Sequence, residues 1–188
     1  MGFSFQKMCK EYAGLAWKFH VSPASCDNPG HYEEFLRLNA LSEQEAGRGV
    51  THILTDNGKH EDISNKDSKI VGFITLRATS LAYSVGNNGY VMPALEIAEL
   101  AVDREYEGHG YGTQLVEIAI LIATQLNDEV VGFQNVVLCA DPRAVGFYER
   151  ENVGFAKLED YYEVLRDGWN DSCIPMYIKL HKKGAGAE

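Results

Sequence analysis

The sequence predicts an α/β fold built around a mixed sheet of six to seven strands. Three β-like runs follow one another directly, Val50–Thr55, Ile70–Thr79 and Pro93–Val102, so they are expected to lie antiparallel. A mostly apolar helical stretch, Leu115–Leu126, then separates the third run from a short apolar one, Asn135–Ala140. Strand–helix–strand joins parallel neighbours, because a parallel pair needs a crossover.

Each element has a local reason. The first twenty residues are aromatic-rich (Phe3, Phe5, Tyr12, Trp17, Phe19) and read as a strand or a short helix docked on a core. Ser25–Gly30 is a turn cluster with several N-cap candidates. Phe35, Leu36, Leu38 and Leu41 then recur among Glu and Arg at roughly helical spacing, giving a helix over His31–Ala46 that Gly47 and Gly49 stop. Asn57–Ser68 is polar apart from Ile63 and reads as a long loop between strands. Ser84–Asn88 reads as a second loop, carrying Gly86 and Asn87-Asn88-Gly89. The helix Leu115–Leu126 presents Leu115, Ile118, Ala119, Ile122 and Leu126 on one face. Asn135–Ala140 is apolar enough to be a central strand. Pro142 suits a first helical position with Asp141 as cap. Ile174–Leu180 closes the sheet, and Gly184–Glu188 reads as a disordered tail after one domain over residues 1–183.

Composition bounds the function. The 188 residues suit one domain with a core that needs no staple. Seventeen Lys and Arg against 27 Asp and Glu give a net charge of -10, which disfavours a nucleic-acid binder. No apolar run approaches the ~20 residues of a membrane span, and Met1–Lys10 lacks a signal-peptide core. The expectation is a soluble cytoplasmic protein. The four cysteines, Cys9, Cys26, Cys139 and Cys173, show no metal-ligand spacing and are expected to be reduced thiols, without zinc or a disulfide framework.

The chemistry concentrates in Leu95–Leu115, where a strand runs through Glu107-Gly108-His109-Gly110-Tyr111-Gly112 into a helix. Glycines let the backbone turn tightly and let a ligand approach its N–H groups. The helix start adds N–H groups with no intrahelical partner and the positive dipole end. Together they suit a phosphate or pyrophosphate. A P-loop would need Lys-Ser/Thr after the glycines, and Gly112-Thr113-Gln114 does not supply it. Downstream, Val136–Ala140 leads to Asp141, then Phe147-Tyr148 and Gly154-Phe155.

These two ordered motifs, with Leu100-Ala101-Val102 before the glycines, resemble the GCN5-related N-acetyltransferases, firmly over Ile70–Leu158. The resemblance implies a mixed sheet with helices on both faces and a splayed parallel strand pair forming a cleft for coenzyme A. It implies acetyl transfer from acetyl-CoA to a primary amine, without a metal. Backbone groups of Leu100, Ala101 and Val102 would pair with the pantetheine arm as an added strand. Glu107, Gly108, His109, Gly110, Tyr111, Gly112 and Thr113 would hold the pyrophosphate, with Asp141 and Phe147 also on the cofactor side. Tyr148 matches the family's frequent general acid, and Glu96 its catalytic glutamate. Glu99 is a second carboxylate on the same apolar strand, where burying a charge is costly.

Two departures stand out. Glu107 replaces the family's usual Arg or Gln, so its carboxylate must point away from a pyrophosphate or pair with a cation such as Arg104. Five residues separate Phe147-Tyr148 from Gly154-Phe155, against a usual three. The acceptor implied is a small-molecule or peptide amine, and the protein could be a homodimer. The turn at Ser25–Pro29, Tyr32–Leu36 and Ala98–Arg104 are also similar to toxin-type acetyltransferases of toxin–antitoxin pairs, which modify aminoacyl-tRNA. A third reading, from Glu107, is a module that holds acyl-CoA without turnover.

Overall fold

In strand order the sheet runs β1-β2-β3-β4-β5-β8-β6, with β7 paired to β3. The computed structural model describes residues 2–57, 68–85, 88–158, 163–164 and 172–180. The strands are β1 (Phe3–Lys7), β2 (Val50–Asp56), β3 (Lys69–Val85), β4 (Asn88–Val102), β5 (Asn135–Ala140), β6 (Ala156–Lys157), β7 (Glu163–Val164) and β8 (Ile174–Lys179). The helices are α1 (Ala13–Ala16), α2 (Pro29–Glu34), α3 (Ala40–Glu45), α4 (Tyr111–Glu129) and α5 (Val145–Tyr148). β1–β2 and β2–β3 are antiparallel, and β4–β5 is parallel, so the sheet is mixed as expected. Most of the loop expected at Asn57–Ser68 and the whole tail at 184–188 lie outside the described residues.

The chain forms two compact units, and β3, β4 and α4 run through both. The first comprises Met1–Arg77 and Ala98–Leu115. Its core gathers Phe19, Leu36, Ala40, Ile53 and Phe73. Phe73 meets Phe19 edge-on at 5.5 Å and stacks on Phe35 at 6.0 Å. The aromatic N-terminus supplies both a strand and helical turns: β1 pairs with β2, and Lys10–Tyr12 forms a 3-10 turn before α1. The helix expected over His31–Ala46 begins earlier, at Pro29, because the Asn28 side chain accepts from the His31 backbone N–H at 3.3 Å. It also carries a π-helical segment, Phe35–Asn39, between α2 and α3. Arg37 there donates to the carbonyls of Ala16 and Phe19 and to Glu33, tying the helical run to the end of α1.

Gly72 on β3 sets a spacing in this unit. A Cβ there would come within 2.9 Å of both the Ala101 carbonyl oxygen and Leu115 Cδ1. The absence of a side chain thus lets the end of β4 and the first turns of α4 close on β3.

The second unit comprises Ala78–Ile97 and Val116–Glu188. Its core includes Leu81, Ala94, Val137, Leu158 and Tyr177. β5 is interior, between β4 and β8, as its apolar character implies. The parallel register runs from Ala94↔Asn135 to Ile97↔Leu138 and stops there, although both strands continue. β4 starts at Asn88, before the expected Pro93, so the loop expected at Ser84–Asn88 shrinks; residues 86–87 lie outside the described ones. α4 extends to Tyr111–Glu129, and its fully buried positions are Leu115, Val116, Ala119 and Ala123, a stripe rotated from the expected one. The helix expected from Pro142 is a turn followed by the single turn α5.

The thiol expectation needs correction. Cys139 and Cys173 form a disulfide, with Cα atoms 5.4 Å apart, while Cys9 and Cys26 keep their thiols. Antiparallel pairing of β5 with β8 sets Cys139 opposite Pro175 and so brings Cys173 alongside, which linear spacing could not reveal. The bond closes a segment with a sequence separation of 34. Chain entropy values such a closure at about 2–4 kcal/mol. Replacing both cysteines with serine is expected to lower unfolding free energy by about that amount in urea titration. An unchanged midpoint would show that the bond does not form in solution.

Candidate active site

Asp103, at the end of β4, organises the glycine turn of the first unit. It is buried, and its own N–H donates to the Val71 carbonyl at 2.8 Å. Its Oδ2 accepts from the His20 N–H at 2.8 Å, and its Oδ1 from the Glu105 N–H at 2.9 Å. Its carbonyl accepts from the Tyr106 N–H, and the Arg104 N–H returns to the His20 carbonyl. Buried polar groups are tolerated when satisfied in this way. Tyr106 then donates to Asp56 at 3.2 Å; burial, reinforced by the Asp56 charge, pushes its hydroxyl up to about 12. Its ring meets Tyr111 edge-on at 5.9 Å, and Tyr111 packs against Phe3 at 5.2 Å. The first residue of α4 is therefore fixed on both sides.

Between these anchors lies the loop. Gly108 and Gly110 adopt φ of +76° and +86°, a region that L side chains rarely occupy. A Cβ built on either would enter open space. Open space above the start of a 19-residue helix, whose first N–H groups lack intrahelical partners, is what an anionic group requires. The Glu107 carboxylate does not obstruct it: Glu107 Oε1 accepts from the Ser25 hydroxyl at 2.7 Å. The cation expected as an alternative partner, Arg104, is not needed. His109 folds back, with Nδ1 2.8 Å from the Glu107 carbonyl, so its imidazole braces the loop. Leu100 and Val102 are half-buried and Ala101 is buried beside Gly72.

Glu99 of β4 receives a partner that the sequence reading missed. His31 Nε2 lies 3.0 and 3.2 Å from the two Glu99 carboxylate oxygens. The hydrogen bond to Glu99 raises the His31 pKa, against an opposing effect of desolvation. Nothing in the linear order links positions 31 and 99, so no sequence signal could have found this pair.

The second unit holds the remaining candidates. Glu96 is buried and stands in register with Val137. Asp141 Oδ1 accepts from the Arg143 N–H at 2.9 Å, so it caps the turn rather than a helix from Pro142. Tyr148 is buried, with its ring edge-on to Phe147 at 4.9 Å and to Phe155 at 5.8 Å. The Arg150 guanidinium covers the Phe147 ring at 5.5 Å. The two additional residues after Tyr148 are absorbed in a tight turn: the N–H groups of Val153 and Gly154 both donate to the Arg150 carbonyl. The Phe155 N–H then returns to the Tyr148 carbonyl at 3.0 Å. Among the described residues no group of three or more His, Cys, Asp or Glu is placed to hold a metal ion, and no helix is long and apolar enough to cross a membrane.

The model of the acetyltransferase (GNAT) family matches residues 22–155. Among solved structures, a mutant of the toxin AtaT is similar at 15% identity, covering 94% of this chain and 89% of that one, with a TM-score of 0.71. A mutant of KacT is similar at 12% identity over 95% of each chain, with a TM-score of 0.71. AtaT complexed with acetyl-methionyl-tRNAfMet is similar at 16% identity, covering 93% of this chain and 94% of that one, with a TM-score of 0.68. At such identities the likeness is one of fold.

Asp103→Asn preserves shape but presents an N–H₂ where one carboxylate oxygen accepts. One partly buried backbone N–H then loses its charged acceptor, at a cost of about 1–3 kcal/mol. A urea titration of this variant is expected to show that loss, and amide exchange at Glu105 and Tyr106 should accelerate. Wild-type stability would mean that the carboxylate does not organise the turn.

Proposed function

The chain belongs to the GNAT acetyltransferase family, whose model spans well over half of it, and on that premise we propose that it transfers an acetyl group from acetyl-CoA to a primary amine. The observation that carries this reading is the open glycine loop at the start of α4, with the Glu107 carboxylate turned onto Ser25. Backbone donors of Gly108–Thr113 hold the pyrophosphate, and they work whatever the net charge of the chain. The backbone of Leu100 and Val102, past the last β4–β5 register pair, serves the pantetheine arm, as the family resemblance implies.

The chemistry asks three things of the protein. The acceptor arrives as an ammonium and must lose a proton before its nitrogen has a lone pair. That nitrogen forms a bond to the thioester carbonyl carbon as the carbon–sulfur bond breaks. The departing thiolate then takes a proton. Tyr148 is assigned as its donor on its match to the family's second motif; its buried ring lies edge-on to Phe147 and Phe155. Glu96 and Glu99 are the carboxylates on the strand where the family places its base.

A second reading has its own support. The fold likeness to AtaT and KacT covers about the whole chain, beyond the segment that the family model matches. One of those structures holds acetyl-methionyl-tRNAfMet. An aminoacyl-tRNA is itself a primary amine, so both readings share one chemistry and differ in what carries the amine. The net charge of -10 favours a cationic small molecule or peptide. A panel of spermidine, glycyl peptides and methionyl-tRNA, followed by release of the coenzyme A thiol, separates them. Turnover on methionyl-tRNA alone would establish the second reading, and acetyl-CoA binding without turnover on any acceptor would leave a binding module.

Two variants test the assigned roles. Gly108→Ala strains a left-handed residue and places a methyl group above the loop; acetyl-CoA affinity is expected to fall about tenfold, or about 1.4 kcal/mol. Titration calorimetry reads this directly, and unchanged affinity would remove the loop from the cofactor site. Tyr148→Phe is expected to lower kcat more than about tenfold with acetyl-CoA affinity intact. Unchanged turnover would sink the acid role.

A further inference from the structure

We propose that His31 and Glu99 act as a base and its orienter: His31 Nδ1 takes the proton from the acceptor's ammonium group while Glu99 holds the ring through Nε2–H. This rests on the acetyl-transfer reading above.

Geometry carries the proposal. Glu99 lies within β4, two residues past the last β4–β5 register pair, and its side chain is only 16% exposed. The His31 side chain is 53% exposed. Both Glu99 oxygens are within 3.2 Å of Nε2, so that nitrogen carries the hydrogen. In the neutral ring the lone pair then sits on Nδ1. A half-exposed imidazole with a mostly buried carboxylate behind it is the arrangement that makes histidine an effective base.

The position of His31 is also fixed. Its backbone N–H is capped by Asn28, Pro29 opens the helix, and its ring meets Tyr32 edge-on at 5.3 Å. The charged groups acting on it are Glu99 from β4 and Glu34 from α2, both carboxylates. A cationic acceptor is attracted to such surroundings, and the imidazolium formed by proton uptake is stabilised there. Arg37 is committed to Glu33 and to the carbonyls of Ala16 and Phe19, so its charge is satisfied elsewhere.

The step balances. The ammonium gives one proton to His31 Nδ1, and the amine nitrogen bonds to the acetyl carbon. The carbon–sulfur electron pair leaves with sulfur. The nitrogen's second proton neutralises the thiolate by way of the general acid, and His31 returns its proton to water. The sum is ammonium plus acetyl-CoA giving amide, free thiol and one proton. His31 is the catalytic group, and Glu99 is a positioning residue.

The experiment compares wild type, His31→Gln and Glu99→Gln with saturating acetyl-CoA, using spermidine, methionine amide and methionyl-tRNA as acceptors. Turnover is followed from about pH 5 to pH 9, and acetyl-CoA affinity is measured separately by calorimetry. A base must be unprotonated to act, so wild-type kcat should fall on the acid side through the His31 titration. Glu99→Gln removes the carboxylate that raises His31, so this limb should move to lower pH, with reduced plateau turnover. His31→Gln should abolish the limb and lower kcat at neutral pH about tenfold or more. Acetyl-CoA affinity should be unchanged in both variants.

A His31→Gln profile parallel to wild type, whether or not uniformly lowered, would overturn the proposal: the pair would then only tie α2 to β4. Acetyl-CoA binding without turnover on any of the three acceptors would overturn it too. Failure of wild type to bind acetyl-CoA would instead overturn the acetyl-transfer reading itself, and the base role with it.

Discussion

The buried carboxylate of Asp103 is the contact on which the geometry of the first unit's glycine turn depends. Through its side chain and backbone it joins β3 at Val71, the segment after α1 at His20, and the turn at Glu105–Tyr106. A charged side chain is costly to bury, and here two backbone N–H groups compensate it. The turn that follows thereby starts from one fixed geometry. Gly72, the neighbour of Val71, then allows β4 and α4 to approach β3 as closely as backbone permits. The open loop at Gly108–Gly110 is what remains once both ends are held.

Around that frame the stretch that leads into and opens the helical run from Pro29 to Glu45 supplies partners to two carboxylates. Ser25, just before it, receives the Glu107 carboxylate. His31, in its first turn, receives Glu99. The segment from Ser25 to His31 thus gives a partner to each of two carboxylates, one on the glycine turn and one on an apolar strand. The substitution of Glu for the family's usual residue at position 107 is accommodated by one hydroxyl, and the loop's donors, being backbone, do not depend on it.

The second unit follows a different logic. Its candidate residues sit on β4, at Glu96, and on the short segment after β5, held by aromatic contacts and by carbonyl-to-amide returns such as Phe155 to Tyr148. The disulfide between Cys139 and Cys173 closes the segment that contains α5. The longer connection after Tyr148 changes little locally, because a turn on the Arg150 carbonyl takes up the additional residues.

Much of this was legible in the linear order. Alternation and turn residues located β2, β3 and the latter part of β4, and the apolar run of β5 marked it as interior. The glycine spacing and Phe147-Tyr148 identified the family, because those signals are local: they arise from backbone freedom, strand propensity and short motifs. Boundaries were less legible. α4 starts at Tyr111, where the Gly110 carbonyl accepts from the Gln114 N–H, whereas apolar periodicity alone pointed to Leu115. The pairings were not legible at all. Ser25 with Glu107, His31 with Glu99, and Cys139 with Cys173 span 82, 68 and 34 positions. The sequence determined which chemical groups exist and which local shapes carry them. Only tertiary packing decided which carboxylate is turned aside, which is backed by an imidazole and which thiols are joined, since each depends on strands and helices distant in the chain arriving within hydrogen-bond or bonding reach.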